Sequence, residues 1–254
     1  MTLANTTIDA LRGLERLSAC CPYCGKPLPR TSVNIMGSTF SVPCTSGCDC
    51  EEAKAENARL NRADEETKRR DFGEKLYRAG IGLDRYKEAR ERVDRSLFAR
   101  ANKSLAEGRN VIVCGDNGQG KTLLAIALCS AALKRGKSAL LVTSADLIHD
   151  DLERMDGGGR KLFDRAGSVD VLALDDLGKE SASQYATAII YEVVNGRSES
   201  RRPTVVTTNL GGCELVAHFA DTSSGKAIVS RIMENAETIR MEGRDMRVSK
   251  NTNR

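Results

Sequence analysis

Gly115-Asp116-Asn117-Gly118-Gln119-Gly120-Lys121-Thr122 fits G-x-x-x-x-G-K-[ST], between an apolar run, Asn110-Val111-Ile112-Val113-Cys114, and a helical stretch opening at Lys121. Strand, glycine-rich turn and helix come in the order that a phosphate-binding loop needs. Glycines let backbone N–H groups close around phosphates, and a helix N-terminus adds partial positive charge. Lys121 is therefore expected on the β and γ phosphates of ATP. The Thr122 hydroxyl is expected on a bridging Mg²⁺, with residues Gly115 to Leu123 forming the nucleotide cradle.

Outward from this loop, short apolar runs alternate with helical stretches: KTLLAIALCSAALKR from Lys121, SALLVT from Ser138, VDVLALDD from Val169, ATAIIYEVVNG from Ala186 and PTVVTTN from Pro203. That alternation predicts an α/β fold whose parallel sheet is covered by helices on both faces. Val171-Leu172-Ala173-Leu174 ends in Asp175-Asp176, the form of a Walker B element at the carboxyl edge of the sheet, where ligands bind in open α/β folds. Asp175 is expected in the magnesium shell and Asp176 against the attacking water. Asn209 ends the next strand, where it either reaches the water or γ-phosphate or simply terminates the strand. Ser230-Arg231-Ile232 falls in a short helix, and IRMEGRDMR, Ile239 to Arg247, reads as a hairpin turning at Gly243. By themselves these arginines are equally well surface charge.

Six of the nine cysteines precede residue 51. Cys21-Pro22-Tyr23-Cys24-Gly25 is a C-x₂-C knuckle, and Cys44, Cys48 and Cys50 form a second cluster. Four thiolates from two such hooks satisfy tetrahedral zinc, and the metal replaces a hydrophobic core too small to fold alone. Cys44 with Cys48 has comfortable spacing, and which members of the second cluster bind stays open. An iron–sulfur cluster would use the same ligands. Cys114, Cys129 and Cys213 sit among apolar neighbours and read as small core residues.

The organisation expected is a zinc module over residues 1–50, a charged linker helix over 51–75 and an ATPase domain over 76–254. Asp9, Arg12, Glu15 and Arg16 interrupt the first seventeen residues, no stretch of about 20 apolar residues crosses a membrane, and the default compartment is the cytoplasm. A net charge of +4 neither demands nor excludes nucleic acid. With 4% aromatics and no tryptophan, any grip on single-stranded DNA must fall mainly on phosphates. Candidates are the helix after the phosphate loop and the segment Gly157-Gly158-Gly159-Arg160-Lys161, which also reads as a plain connection.

Across roughly Leu76 to Arg247 the chain resembles the AAA+ helicase loaders of the DnaC and DnaI type and the related IstB-type transposition ATPases. The resemblance rests on Ala79-Gly80-Ile81 followed by Arg85-Tyr86, the phosphate loop, LALDDLG with Glu180 after it, VVTTNL, SRI and the final G-x-D-x-R. It implies that Asn209 is sensor 1, Arg231 a finger acting on a neighbouring subunit's ATP, and Arg247 sensor 2. It also implies sheet order 5-1-4-3-2, ring or spiral self-association, single-stranded DNA binding and delivery of a replicative DNA helicase. Asp176 stands where many AAA+ proteins have Glu, which implies slow hydrolysis used as a switch. Cys48-Asp49-Cys50 resembles the C-x-C-E element of zinc-bearing loaders. A transposition helper or phage DNA-binding regulator is the rival reading, and a metal-dependent adaptor with a vestigial ATPase a weaker one.

Overall fold

The computed structural model describes residues 20–35, 37–44, 48–155, 161–179, 183–219, 223–243 and 245–246. It divides into two compact units, residues 1–70 and 71–254.

The first unit has a two-stranded antiparallel ribbon of β1 (Arg30–Ile35) and β2 (Ser38–Pro43). Among its described residues the buried cluster is Cys21, Leu28 and Ala53, with Cys48 and Cys50 packed against them. A cluster this small is one that a cross-link such as a bound metal would reinforce. Helix α1 (Glu51–Arg78) begins here, and its residues within this unit are held by propensity and by pairs such as Lys54–Glu51 and Lys68–Asp64 rather than by a continuous apolar stripe.

The second unit carries the expected sheet. Strands β3 (Val111–Cys114), β4 (Ala139–Thr143), β5 (Val171–Asp175), β6 (Thr204–Thr208) and β7 (Glu237–Arg240) lie in the order β4-β5-β6-β3-β7, all parallel. Counted from β3 as the first strand, this is 5-1-4-3-2. Alternate residues of each strand enter opposite layers: Val111, Val113 and Val205 face one core, and Ile112, Leu172, Leu174 and Val206 the other. The first layer holds the end of α1, α2 (Leu83–Arg92), α3 (Arg95–Ala106) and α4 (Lys121–Lys134). The second holds α5 (Ser144–Met155), α6 (Lys161–Ser168), α7 (Gln184–Glu199), α8 (Gly212–Phe219) and α9 (Ser223–Met233).

Two expectations are corrected. Ile239 to Arg247 does not form a hairpin: Ile239 and Arg240 end β7, which pairs in parallel with β3, and Met241 still donates to the Cys114 carbonyl at 2.7 Å. The apolar pattern was that of a strand, but its partner lies far back in the sequence. Helix α4 is unsuited to gripping DNA, since it is buried from Leu123 to Leu133 apart from partial exposure at Ala127 and Ala131. Its exposed Lys134 sits 5.5 Å from the rings of Phe72 and Tyr86. Gly157 to Arg160 and Arg247 lie outside the described residues, as do the Lys161 side chain and Glu180. Among the described residues no helix is long and apolar enough to cross a membrane.

Candidate nucleotide site and cysteine cluster

The phosphate loop leaves β3 at its carboxyl end and enters α4 through Gly120, which is left-handed at φ 89° and offers no side-chain cap. The first N–H groups of α4 thus keep an open end suited to an anion. Gly118, at φ 79°, is required twice over, because a Cβ there would lie 1.9 Å from Asp245 Oδ1. The loop braces itself: Gln119 accepts from the Asp116 N–H at 2.7 Å and donates to the Gly243 carbonyl at 3.3 Å. Lys121 is 6% exposed, and its ammonium donates to the carbonyls of Gly115 and Asp116 at 2.8 Å each. Burial lowers its pKa, against the pull of Asp176, so a phosphate would relieve a desolvated cation.

Asp175, 6% exposed at the end of β5, accepts from the hydroxyl of Thr122 at 3.1 and 3.0 Å and from that of Thr207. Burial pushes its carboxyl above the usual range, the Thr207 hydroxyl pulls back and Asp176 pushes further. A cation held jointly by Asp175 and Thr122 would compensate that buried charge, so the pair fits Mg²⁺. Asp176 has the left-handed φ of 58°, uncommon for a residue with a side chain, and its carboxylate lines the cavity. Its N–H is fixed by Thr207 Oγ1 at 2.9 Å, and Lys179 pairs with its Oδ2 at 2.9 Å. Asn209 donates to Asn117 Oδ1 in the loop at 3.0 Å, while its own Oδ1 is buried and, among the described residues, has no hydrogen-bond partner. An orphaned acceptor one residue beyond β6 suits a water or hydroxyl donor. Of these groups, Lys121, Thr122 and Asp176 line a cavity of about 210 Å³, together with Asn117, Gly118, Gly120 and Leu123.

In the first unit, the sulfurs of Cys21, Cys24, Cys48 and Cys50 all lie within 4.8 Å of one another. Cys21 and Cys50 are 3.8 Å apart, Cys24 and Cys48 3.3 Å. Zn–S bonds near 2.3 Å place tetrahedral sulfurs about 3.8 Å apart, so the four fit zinc with little adjustment. The N–H of Cys24 draws the Cys21 thiol down to about 7. Cys50 is drawn down by the Ala53 N–H but pushed up to about 12 by burial and its thiol neighbours. A dication held by these sulfurs would favour their thiolate form. Cys44 is not in the cluster; its N–H belongs to the ribbon, donating to the Pro29 carbonyl at 2.7 Å. Cys129 is buried, with its thiol pushed up to about 12, as an inert core residue is. The side chain of Cys213 lies outside the described residues.

The family model described as IstB-like ATP binding protein matches residues 85–254. The chain belongs to the IstB-like ATP-binding family. It is 38% identical over 101 residues to the replicative helicase loader DnaC of Escherichia coli, spanning 39% of this chain and 41% of the loader. It is 29% identical over 177 residues to a putative insertion sequence ATP-binding protein of Sinorhizobium fredii, spanning 68% of this chain and 71% of that protein. The crystal structure of DnaI superposes with a TM-score of 0.53 at 24% identity, covering 61% of this chain and 88% of that one, which shows the shared AAA+ fold.

Within this IstB-like domain the structure gathers Lys121, Thr122, Asp175, Asp176 and Asn209 at one edge of the sheet, with the motif residues Gly115 to Leu123. Arg231 goes elsewhere. Its carbonyl and that of Ile232 accept from Asn110 Nδ2 at 3.1 and 3.2 Å, at the amino end of β3. The phosphate loop starts at the other end, roughly 17 Å away at 3.3 Å per strand residue. The Arg231 guanidinium pairs with Glu234 at 3.8 Å.

Five cavity residues are not assigned by the sequence motifs, Met246 among them. Arg85, Glu88 and Arg92 line the cavity from α2, and Lys179 lines it from the turn after β5. The spacing of three and four residues along α2 was a legible sign that the first three share a helix face. Arg92 donates to the Met246 carbonyl at 2.6 Å, and the Met246 N–H donates to the Gly118 carbonyl at 2.9 Å. The segment leading to Arg247 is therefore fastened to the loop.

Proposed function

We propose that this IstB-like protein is an ATP-hydrolysing switch that loads a replicative DNA helicase onto single-stranded DNA. The observation that carries the ATP part is that Lys121, Thr122 and Asp176 line one cavity, with Asp175 accepting from Thr122 and Asn209 donating to Asn117 in its wall. Lys121 binds the β and γ phosphates, and Thr122 and Asp175 hold Mg²⁺, which neutralises the charge on those phosphates. Asp176 orients the attacking water, helped by Asn209 as sensor 1. Arg231 works on a neighbour's nucleotide, since it sits at the far edge from its own loop, and assembly into a ring or spiral completes the site. Arg247 serves as sensor 2. Residues 1–50 form a zinc-held module, with Cys21, Cys24, Cys48 and Cys50 as ligands, that grips the helicase. The loader part rests on the 38% identity to the Escherichia coli loader.

The test is transfer of a purified hexameric helicase onto closed single-stranded DNA circles. ATP, but not ADP, should support transfer by wild type and not by Lys121→Ala. Failure to bind the helicase in any nucleotide state would sink the reading. The longer match to an insertion sequence ATP-binding protein favours the second reading, a transposition helper. That reading expects ATP-dependent assembly on duplex DNA and recruitment of a transposase.

A further inference from the structure

We propose that Lys179 is the specificity-determining residue for ATP over ADP: a cation parked on Asp176 that moves to the γ-phosphate when ATP fills the cavity. The proposal rests on the ATP-site reading above and adds to it a residue that no loop motif specifies.

The turn that carries Lys179 is pinned. Its N–H donates to the Asp176 carbonyl at 3.2 Å, the Leu177 N–H donates to the Thr207 carbonyl at 2.9 Å, and the Thr208 hydroxyl donates to the Leu177 carbonyl at 2.8 Å. Gly178 is pressed so closely on Leu210 that a Cβ would lie 2.6 Å from Leu210 Cδ1. With the backbone held, the freedom left is in the lysine side chain, a flexible stem on a fixed root. Its ammonium is 2.9 Å from Asp176 Oδ2, and the two side chains are 46% and 33% exposed. A pair that open is weak, so a stronger anion can take the ammonium away.

The competitor would arrive within reach. Lys179 lines the same cavity as Lys121 and Thr122, and 210 Å³ corresponds to a sphere roughly 7 Å across. With Lys121 on the β and γ phosphates, the γ-phosphoryl, the group ADP lacks, would meet a second cation in Lys179, which lines the same cavity. Losing Lys179 also releases Asp176 Oδ2, so one movement would both register ATP and free the carboxylate that orients water. ADP leaves the pair closed.

The experiment is calorimetric titration of the full chain with Mg²⁺ and either a non-hydrolysable ATP analogue or ADP. Lys179→Met should weaken the analogue about tenfold, the weight of one charge-assisted contact, and ADP by less than about twofold. Lys179→Arg should keep most of the discrimination. Asp176→Asn, which unparks the ammonium, should tighten the analogue in the Lys179 background and lose most of that gain in the double variant. Equal weakening of both nucleotides by Lys179→Met, or an unchanged ratio between them, would overturn the proposal. Wild type that binds neither nucleotide would remove the ATP-site reading with it. Binding is read without a helicase, so the loader assay can fail while this result stands.

Discussion

Arg197 is 1% exposed, and its guanidinium donates to Thr204 Oγ1 and to the carbonyls of Ala166, Val169, Asp170 and Pro203. It thereby ties the end of α6 to the starts of β5 and β6. Burial pushes it down to about 10, so it stays charged at neutral pH. Arg197→Met would keep the volume and orphan the acceptors, with a loss of about 3 kcal/mol or more. Thermal melting should fall by roughly 6–12 °C for a unit of this size; a fall under about 2 °C would mean that the carbonyls find other donors. At the cavity the expectations concern chemistry rather than stability. Lys121→Ala should abolish ATP binding, whereas Asp176→Asn should keep ATP and slow hydrolysis about a hundredfold or more. If Asp176→Asn turns over at the parental rate, water activation belongs to another group, and Glu180 is the next candidate.

The knuckle at Cys21–Cys24 and the pair Cys48 and Cys50 approach from separate stretches, and the described core they share is small. Zinc at about one per chain is expected in protein purified without chelator. Cys24→Ser should unfold this unit and leave nucleotide binding by residues 71–254 largely intact, because that sheet has its own two cores. Metal analysis finding none, or loss of both properties together, would contradict it. In the sheet, the start of β4 is fastened where Asp170 accepts from the Ser138 hydroxyl at 2.7 Å and its N–H at 2.8 Å. The hydroxyl, then the N–H, hold the Asp170 carboxyl below its ordinary range. A pKa depressed by folding stabilises above the unfolded value and ceases to do so as pH falls through the folded one. The difference in melting temperature between wild type and Asp170→Asn, open at pH 6, should therefore close below about pH 4. A difference independent of pH would assign the effect to shape instead of charge.

At the scale of the whole molecule, the phosphate loop and Arg231 occupy opposite ends of β3, so a single chain does not bring them together. If Arg231 is a finger acting in trans, neither Arg231→Ala nor Lys121→Ala should hydrolyse ATP well alone. A co-assembled mixture should regain activity, because intact loops then meet intact fingers. A guanidinium suits this task, being permanently charged and a planar fork of donors for phosphoryl oxygens. No recovery in demonstrated mixed oligomers would leave Arg231 as the surface partner of Glu234.

The phosphate loop, the acidic pair and the alternation that predicts a parallel sheet were legible because each is local: the chemistry or the period lies within a few consecutive residues. Sheet order followed from the family resemblance, and the register that places Val111 beside both Val205 and Glu237 came only with the fold. A strand's pattern names its faces and not its neighbours, which is why Ile239 to Arg247 read as a hairpin. The choice of Cys50 over Cys44, the Asn209–Asn117 contact across 92 positions and the gathering of Arg85, Glu88 and Arg92 against the loop are of the same non-local kind. Residue spacing determined what chemistry this chain carries. Tertiary packing decided which side chains share the cavity, because closing a loop between distant residues depends on everything packed between them.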